Sequence, residues 1–246
     1  MKSILYSFVF AMLILSCSSP KKSDPIIAVM GNIHIVITCK DKELLTQAEE
    51  SLKKYFGEIP KLELLQLPSV EIWARDMGPI FVETNQNTWA IADFNFSSWG
   101  YSDTLDIDTK TEELYDERVA KHFQLPVISS RMISEGGNRE VNGKGTLITT
   151  EAVEMDRNPD MTKVDMEKEY KRLLGVKKII WLKQGLVEDD HTFRGPITTV
   201  DGDKAYTVVT TNGHVDEFAR FVNDSTILFA KVDSVDLEDP IALENH

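Results

Sequence analysis

Apolar and polar positions follow two periods along the chain, and these periods predict alternating strands and helices. Residues 33–39 form an apolar, β-branched run that predicts a first strand. From Asp41 to Tyr55 the apolar positions recur at helical spacing, with Lys and Glu on the opposite face. Residues 62–67 predict a second strand, which Pro68 ends because proline cannot donate to a ladder. This order predicts an α/β domain.

The same two periods continue towards the C-terminus. Residues 80–82 and 89–92 flank a polar turn and predict a hairpin. Helical spacing predicts helices at 111–123 and 161–174, with Gly175 as the stop of the second. Long polar loops are predicted at 93–108 and 184–196, the second an acidic stretch that fits a lid. Further strands are predicted at 126–128, 141–149 (two strands around a tight turn), 176–182, 205–210 and 227–230.

A repeat is visible in this succession. Strand, helix, strand, a polar turn and then a hairpin recur around Asp76, Glu135 and His214. The copies are too diverged for a strict period, but three similar ββαβ units favour radial or stacked repetition. We therefore expect the charged groups at the three turns to point towards a common axis.

Composition and charge narrow the classes of ligand. Of the 246 residues, 42% are hydrophobic and 27% are charged, which is typical of a globular domain. The formal net charge of -13 argues against a nucleic-acid partner or an anionic-membrane surface and fits a cationic ligand. Cys39, inside the first predicted strand, is typical of an inert buried thiol, and it leaves the predicted domain without a disulfide or a thiolate metal cluster.

The N-terminus predicts an exported protein. Lys2 precedes an apolar run, Ile4 to Leu15, which is too short for a comfortable membrane span. Cys17 follows Leu-Ile-Leu-Ser, a pattern that resembles a bacterial lipobox, in which the Cys is lipidated. We expect a signal peptide with lipobox at 1–17, a tether at 18–32 and the folded domain at 33–246, attached to the membrane only through a lipid anchor. A plain signal peptide or an uncleaved anchor are the alternatives.

Three short stretches carry the candidate chemistry. His214 and Asp216 follow the turn pair Asn-Gly, and an extended backbone would place both side chains on one face. Glu135 precedes two glycines, which permit a close approach of a ligand to the main chain. Asp76 follows Arg75 just before Gly-Pro. The structural alternatives are a hydrogen-bonded histidine at a strand start and a local Arg75–Asp76 ion pair beside a turn.

If these stretches meet, three carboxylates and one imidazole form an acidic site. Buried like charges raise one another's pKa unless a cation lies among them. A guanidinium fits, because its planar fork of donors pairs bidentately with carboxylates. His214 near a carboxylate could then carry protons to or from the reacting group. A divalent metal is the competing cation, since hard cations also bind carboxylates.

These stretches closely resemble motifs of the agmatine deiminase and bacterial-type peptidylarginine deiminase family, in the same order and from about residue 33 to the C-terminus. The resemblance implies the pentein fold, a five-bladed α/β propeller of ββαβ units, and hydrolysis of a guanidinium to a ureido group with release of ammonia. It implies that Asp76 and Asp216 hold the guanidinium, that Trp73 contacts the substrate, that His214 is the general acid/base and that Glu135 orients it. It implies no metal and no organic cofactor. The matching segments are Trp-x-Arg-Asp-x-Gly-Pro at 73–79, Glu-Gly-Gly-Asn at 135–138, Gly-Thr-Leu-Ile-Thr-Thr-Glu at 145–151, 174–182, and Gly-His-Val-Asp-Glu-Phe-Ala-Arg-Phe-Val at 213–222.

The sequence departs from the family pattern at both ends. The family's nucleophile is a Cys in a glycine-rich segment of the fifth blade, and the sequence up to His246 has no such Cys. The family's aromatic-rich N-terminal segment is also missing. We therefore expect an incomplete pentein that lacks most of the fifth blade and has little turnover alone. A binding lipoprotein that holds a guanidinium or amine without turnover, or a non-functional fragment, are the alternatives, and the substrate is either agmatine or peptidyl arginine.

Overall fold

The computed structural model describes residues 35–59, 61–102, 105–189, 196–198, 201–205 and 211–246. The predicted signal peptide with Cys17, the tether, and most of the predicted strand at 205–210 lie outside these residues. Over the described part of the chain, no helix is both long enough and apolar enough to cross a membrane. The chain is α/β with mixed sheets.

The described part begins with a βαβ segment. Strand β1, Ile35–Cys39, and strand β2, Leu62–Gln66, pair in parallel around helix α1, Lys42–Phe56. Asp41 caps α1 by accepting the Leu44 N–H at 2.9 Å. The predicted first strand and first helix are therefore present, with boundaries shifted by one or two residues.

A ββαβ unit follows. The short helix α2, Ala74–Met77, leads into strands β3, Ile80–Glu83, and β4, Trp89–Asn95, which pair antiparallel. A 3-10 turn, Ser98–Gly100, and helices α3, Ile107–Glu113, and α4, Tyr115–Phe123, cross over to strand β5, Val127–Ile133. Strand β5 lies parallel to β4.

The second ββαβ unit repeats this connectivity. After a 3-10 turn at Gly136–Asn138, strands β6, Glu140–Val141, and β7, Thr146–Thr150, pair antiparallel. Helices α5, Glu151–Arg157, and α6, Lys163–Leu174, then return the chain to strand β8, Lys178–Leu182, which lies parallel to β7. The predicted ββαβ unit therefore occurs twice with the same strand order.

The remaining described chain contains two small hairpins. Strands β9, Ile197–Thr198, and β10, Lys204–Ala205, pair antiparallel. A 3-10 turn, Val215–Glu217, precedes the second hairpin, formed by strands β11, Ala219–Phe221, and β12, Ile227–Phe229. The chain ends in a 3-10 turn, Ser234–Asp236, and helix α7, Pro240–Asn245.

One prediction about a loop was wrong, and one short helix was not predicted. The predicted loop at 93–108 is shorter than expected, because β4 continues to Asn95 and α3 begins at Ile107. The polar side chain that made this segment look like a loop, Asp93, is buried. Helix α5 was not predicted, because it has only seven residues and buries a carboxylate and a guanidinium, Glu154 and Arg157.

The main apolar core lies between the two ββαβ units. It joins β4 and β5 of the first unit to β7 and α6 of the second, and a separate cluster packs α4 against β2 and α2. Burial of these side chains fixes the two units against each other, and the polar turns that follow β2 and β5 lie at the edge of the packed layers. The largest fully buried apolar members of the main core are Met132, Leu147, Met166, Tyr170 and Leu173.

Candidate active site

Three turns from different parts of the chain meet around one buried imidazole. Asp76 lies in α2, Glu135 directly precedes the 3-10 turn at 136–138, and His214 directly precedes the 3-10 turn at 215–217. Each of these turns comes before a hairpin. The structure therefore brings together the three turns that the repeat predicted to face a common axis.

His214 lies between two carboxylates. Its Nε2 is 3.2 Å from Glu135 Oε2, within hydrogen-bond distance, and its Nδ1 is 3.4 Å from Asp76 Oδ1. The second contact is an ion pair without hydrogen-bond alignment, so Nδ1 has no hydrogen-bond partner among the described residues. Burial works against a charge on His214, but Asp76 and Glu135 outweigh it and raise its pKa to about 10. At neutral pH the side chain is therefore an imidazolium.

Glu135 is held from the side opposite His214. Its Oε1 accepts a hydrogen bond from Arg157 Nε at 3.0 Å and from Ser97 Oγ at 3.3 Å. Burial disfavours the charge of this carboxylate, but the contacts with His214 and Arg157 outweigh burial and lower the pKa of Glu135. Arg157 is itself fixed, because it also donates to Asp156 and to the Thr211 carbonyl.

Asp76 is oriented by one main-chain donor and one indole. Its Oδ1 accepts the Gly137 N–H at 2.8 Å, and its Oδ2 accepts the Trp99 indole N–H at 3.0 Å. Burial again disfavours the carboxylate, but His214 and these donors outweigh it and lower the pKa of Asp76. Asp76 is therefore ionised beside the imidazolium.

Asp216 is the carboxylate of the site that reaches solvent, with 19% of its side chain exposed. Burial raises the pKa of Asp216, and repulsion by Asp76 adds to this effect, while His214 and Arg75 oppose it. Gly137 marks the point where the groups converge. A Cβ at Gly137 would lie 2.5 Å from His214 Nδ1, 2.7 Å from Asp76 Oδ1 and 2.9 Å from Asp216 Oδ1, so this position has no room for a side chain.

The Asn138 side chain ties the site to the second ββαβ unit. Its Oδ1 accepts the Thr150 and Val215 N–H groups, at 3.1 Å and 3.2 Å, and its Nδ2 donates to Glu154 Oε1 at 2.9 Å. Burial raises the pKa of Glu154, which favours the neutral carboxyl group in this network. Through these bonds, the turn that follows Glu135 also fixes the residue between His214 and Asp216.

Two glycine positions allow main chains to touch next to these turns. A Cβ at Gly136 would lie 1.7 Å from the Arg75 carbonyl oxygen. A Cβ at Gly185 would lie 2.1 Å from the Gly213 Cα, and Gly213 has a positive φ of 104°. The residue before His214 therefore lies directly against the start of the acidic segment 184–196.

The local structure of the site differs from the sequence-based expectation at His214 and Asp216. His214 directly precedes a 3-10 turn and Asp216 lies within it, so the two residues do not share a strand face. Asn138 supplies an acceptor for the Val215 N–H, which stabilises the turn. Arg75 does not form the local pair with Asp76, since its guanidinium donates to Glu140 Oε1 at 2.7 Å.

The tryptophan that contacts a carboxylate of the site is Trp99, and the expected contact of Trp73 with a substrate stays a prediction. Trp73 is 53% exposed, and its main-chain oxygen accepts the Asp76 N–H at 2.9 Å. Trp99, in a turn with a positive φ of 55°, donates its indole N–H to Asp76. The signal that could have identified Trp99 is its position next to a glycine in the polar segment 93–108. Of the acidic segment 184–196, Glu188 accepts a bond from Asn245 and Asp189 is buried, while Asp190 and His191 lie outside the described residues.

Comparison with known proteins identifies the family of the chain. Residues 21–200 match the family of Porphyromonas-type peptidyl-arginine deiminases. The chain belongs to this family. It is 35% identical over 190 residues to the agmatine deiminase of Medicago truncatula, an alignment that covers 73% of this chain and 45% of the relative. It is 30% identical over 192 residues to an agmatine deiminase of Pseudomonas syringae pv. tomato, covering 74% of this chain and 45% of the relative.

Solved structures of deiminases share the fold. An Enterococcus faecalis agmatine deiminase superposes with a TM-score of 0.66 at 22% identity, over 89% of this chain and 53% of that chain. The C. jejuni agmatine deiminase superposes with a TM-score of 0.60 at 20% identity, over 89% and 56%. This peptidyl-arginine deiminase family member thus shares the fold of these agmatine deiminases, and its sequence spans about half the length of the curated relatives it matches.

The site also bears on the metal alternative. Within the residues that the structure describes, no group of three or more His, Cys, Asp or Glu side chains is arranged to hold a metal ion.

Cys39, the free cysteine of the described part, is buried in β1, where burial and the nearby Asp41 raise the pKa of its thiol. A thiol in this state is a poor nucleophile.

Proposed function

We propose that this chain binds the guanidinium group of agmatine or of a peptidyl arginine, with Asp216 and Asp76 as the carboxylates that hold it. The observation that carries the proposal is the convergence of His214, Asp76 and Asp216 at Gly137. Asp76 and Glu135 are matched by the His214 imidazolium and by Arg157, whereas Asp216 is partly open to solvent and its contacts with Arg75 and Arg220 are long, at 3.7 Å. A planar cation with several donors fits this group.

The reaction that fits the family is hydrolysis of the guanidinium to a ureido group with release of ammonia. His214 would enter the reaction as an acid, because both neighbouring carboxylates hold it in the imidazolium form. Glu135 would keep the ring in place, since its other oxygen is bound to Arg157. Bond cleavage also needs a nucleophile. Cys39, the free cysteine of the described residues, lies in β1 and does not belong to the group around His214. We therefore expect guanidinium binding without turnover by these residues alone.

Calorimetric titration, together with a measurement of ammonia release, distinguishes guanidinium binding without turnover from hydrolysis. The 246-residue chain should bind agmatine much more tightly than N-carbamoylputrescine, which keeps the ammonium group of agmatine but has an uncharged ureido group in place of the guanidinium. Asp216→Asn should weaken agmatine binding at least about tenfold, a loss of ~1.4 kcal/mol. Glu151→Gln, which removes one partner of a half-exposed Lys163–Glu151 pair, is the matched control. Ammonia release should be absent. Release above background would show the thiol argument to be wrong, and failure of the wild type to bind agmatine would reject the proposed function.

The wider architecture and the membrane anchor belong to the same proposal. The two ββαβ units and the three converging turns support a radial arrangement of units, as in a pentein propeller. An exported protein, lipidated at Cys17 and reaching the membrane only through that anchor, fits the N-terminal sequence. Metabolic labelling with a fatty acid tests the anchor, and the label should disappear in Cys17→Ser.

A further inference from the structure

Two arginines flank the proposed binding site and share the same two carboxylates. Arg75, in α2, donates to Glu140 Oε1 at 2.7 Å and lies 3.7 Å from Asp216 Oδ2. Arg220, in β11, lies 3.1 Å from Glu140 Oε1 and also 3.7 Å from Asp216 Oδ2. Both guanidinium groups are about half exposed, whereas the Glu140 carboxylate is buried.

The two oxygens of Asp216 face different surroundings. Oδ1 lies on the side of Gly137, together with His214 Nδ1 and Asp76 Oδ1. Oδ2 lies on the side of Arg75 and Arg220. These arginines carry the same functional group as the proposed ligand, so they are potential competitors for Asp216. The distance between these guanidinium groups and Asp216 determines how strongly they compete with a ligand for the Asp216 carboxylate.

We propose, on the basis of the proposed function, that Glu140 is a positioning residue. Its carboxylate holds Arg75 and Arg220 away from Asp216 and so keeps Asp216 free for an external guanidinium. The contacts to Glu140, at 2.7 and 3.1 Å, are within hydrogen-bond distance, whereas both contacts to Asp216 are longer. Charge-assisted bonds to a buried carboxylate are the strong ones.

Neutralising Glu140 should therefore move the arginines towards Asp216, the other carboxylate within reach of both. Glu140→Gln keeps the shape of the side chain but cannot neutralise either guanidinium. Arg75 and Arg220 would then pair with Asp216 and block it. Removing one of these arginines should have the opposite effect, because it removes a competitor. A role of Glu140 in folding alone would not produce effects of opposite sign.

The test measures agmatine affinity by calorimetry for the full 246-residue chain. Glu140→Gln should raise Kd at least about fivefold. The double variant Glu140→Gln/Arg220→Gln should recover part of this loss, because Arg75 remains as a competitor, and Arg220→Gln alone should bind agmatine as tightly as wild type or more tightly. Near-UV circular dichroism and the urea midpoint of each variant report whether it is folded.

The outcomes separate the inference from the function on which it rests. If the wild type does not bind agmatine, the proposed function and the inference both fail. If the wild type binds and Glu140→Gln binds equally well, only the inference fails. It also fails if the double variant is as weak as Glu140→Gln, or if Arg220→Gln alone loses affinity, because Glu140 and Arg220 would then support the fold and not compete for Asp216. Should Glu140→Gln not fold, the result for Arg220→Gln decides alone.

Discussion

At the scale of single residues, His214 and its two carboxylates set the pH dependence of the molecule. The folded pKa of His214, about 10, lies above the ~6.5 of an unfolded histidine. Its contribution to stability is therefore fully present below about pH 6.5 and is lost as the pH rises through about 10. Asp76 and Glu135 have lowered pKa values, so their contribution is present above their ordinary range, about 4, and is lost as the pH falls.

Replacing Glu135 by Gln should lower the pKa of His214, because it removes one of the two charges that stabilise the imidazolium. The measurement is an NMR titration of the His214 Hε1 signal, assigned with His214→Gln. Wild type should show no titration of this signal below about pH 8, and Glu135→Gln should bring the transition to a lower pH. An unchanged transition would mean that the Glu135 carboxylate does not stabilise the proton on His214.

Gly137→Ala should abolish agmatine binding. The new methyl group would meet His214, Asp76 and Asp216 at distances below 3.0 Å, so these side chains must move apart. We expect a loss of ~1–3 kcal/mol in the free energy of unfolding, measured with urea. Gly143→Ala is the control, since a Cβ there meets nothing within 4 Å despite a φ of 68°. It should lose ~1–2 kcal/mol through backbone strain and bind agmatine normally. Normal binding by Gly137→Ala would contradict the geometry of the site.

At the scale of secondary structure elements, a pair of buried carboxyl groups joins β4 to α4. Asp93 and Asp116 are both buried, and Asp116 accepts the Glu117 N–H at 2.9 Å. Burial, together with the neighbouring Asp93, raises the pKa of Asp116 to about 9. Asp116 is therefore protonated in the folded chain at neutral pH and ionised in the unfolded chain. This group makes folding less favourable as the pH rises from about 4 to about 9.

Asp116→Asn should remove this pH dependence, because Asn is uncharged and can still accept the Glu117 N–H. Compared with wild type, the variant should gain ~1–3 kcal/mol of unfolding free energy at pH 8.5 and little at pH 4.5. Urea unfolding at the two pH values measures this difference. Asp165→Asn, at the exposed start of α6, is the control and should show no such gain at pH 8.5. Equal effects of Asp116→Asn at both pH values would rule out the proton on Asp116.

The sequence predicted most elements because their apolar period matched their burial. Helix α6 is one example, with Thr162 as its cap, Gly175 as its stop and its buried residues on one face. Prediction failed where polar side chains are buried. Asp93 continues β4, and Glu154 lies inside α5, although local patterns assign such residues to loops or surfaces. Only their distant partners, such as Asn138 for Glu154, make these positions favourable.

At the scale of the whole molecule, the second hairpin leaves apolar side chains exposed. In β12, Leu228 is 66% exposed, and its neighbours Ile227 and Phe229 are also exposed, as is Val222 after β11. A two-stranded hairpin with an open edge readily associates with other chains. The alignments with the matched relatives cover 45% of each relative.

We expect the 246-residue chain to self-associate through this hairpin. Leu228→Lys should lower the apparent mass at high concentration in sedimentation experiments and leave the unfolding midpoint unchanged, because its side chain is mostly exposed. Leu173→Lys is not a suitable control, since Leu173 is buried. Val164→Lys, on the exposed start of α6, tests whether any added charge has the same effect. Equal effects of both variants would exclude a specific role of the hairpin.

The candidate site was predictable as a set of residues but not as a geometry. Asp76, Glu135, His214 and Asp216 could be chosen from their motifs, and they do converge. The positions of Trp99, Arg157 and Glu140 relative to them could not be chosen in this way. Each reaches the site from another element, 22 to 80 positions away along the chain from its partner, and contacts of that kind depend on the packing of the units.

The contact between Gly185 and Gly213 has a mechanical consequence. Two main chains cross there with no side chain between them, so neither can shift sideways without pushing the other. A displacement of the main chain in the segment after β8 would therefore also displace the backbone of His214. Even a methyl group at Gly185, which lies outside the site, would push the Gly213 backbone and so displace the imidazole of His214.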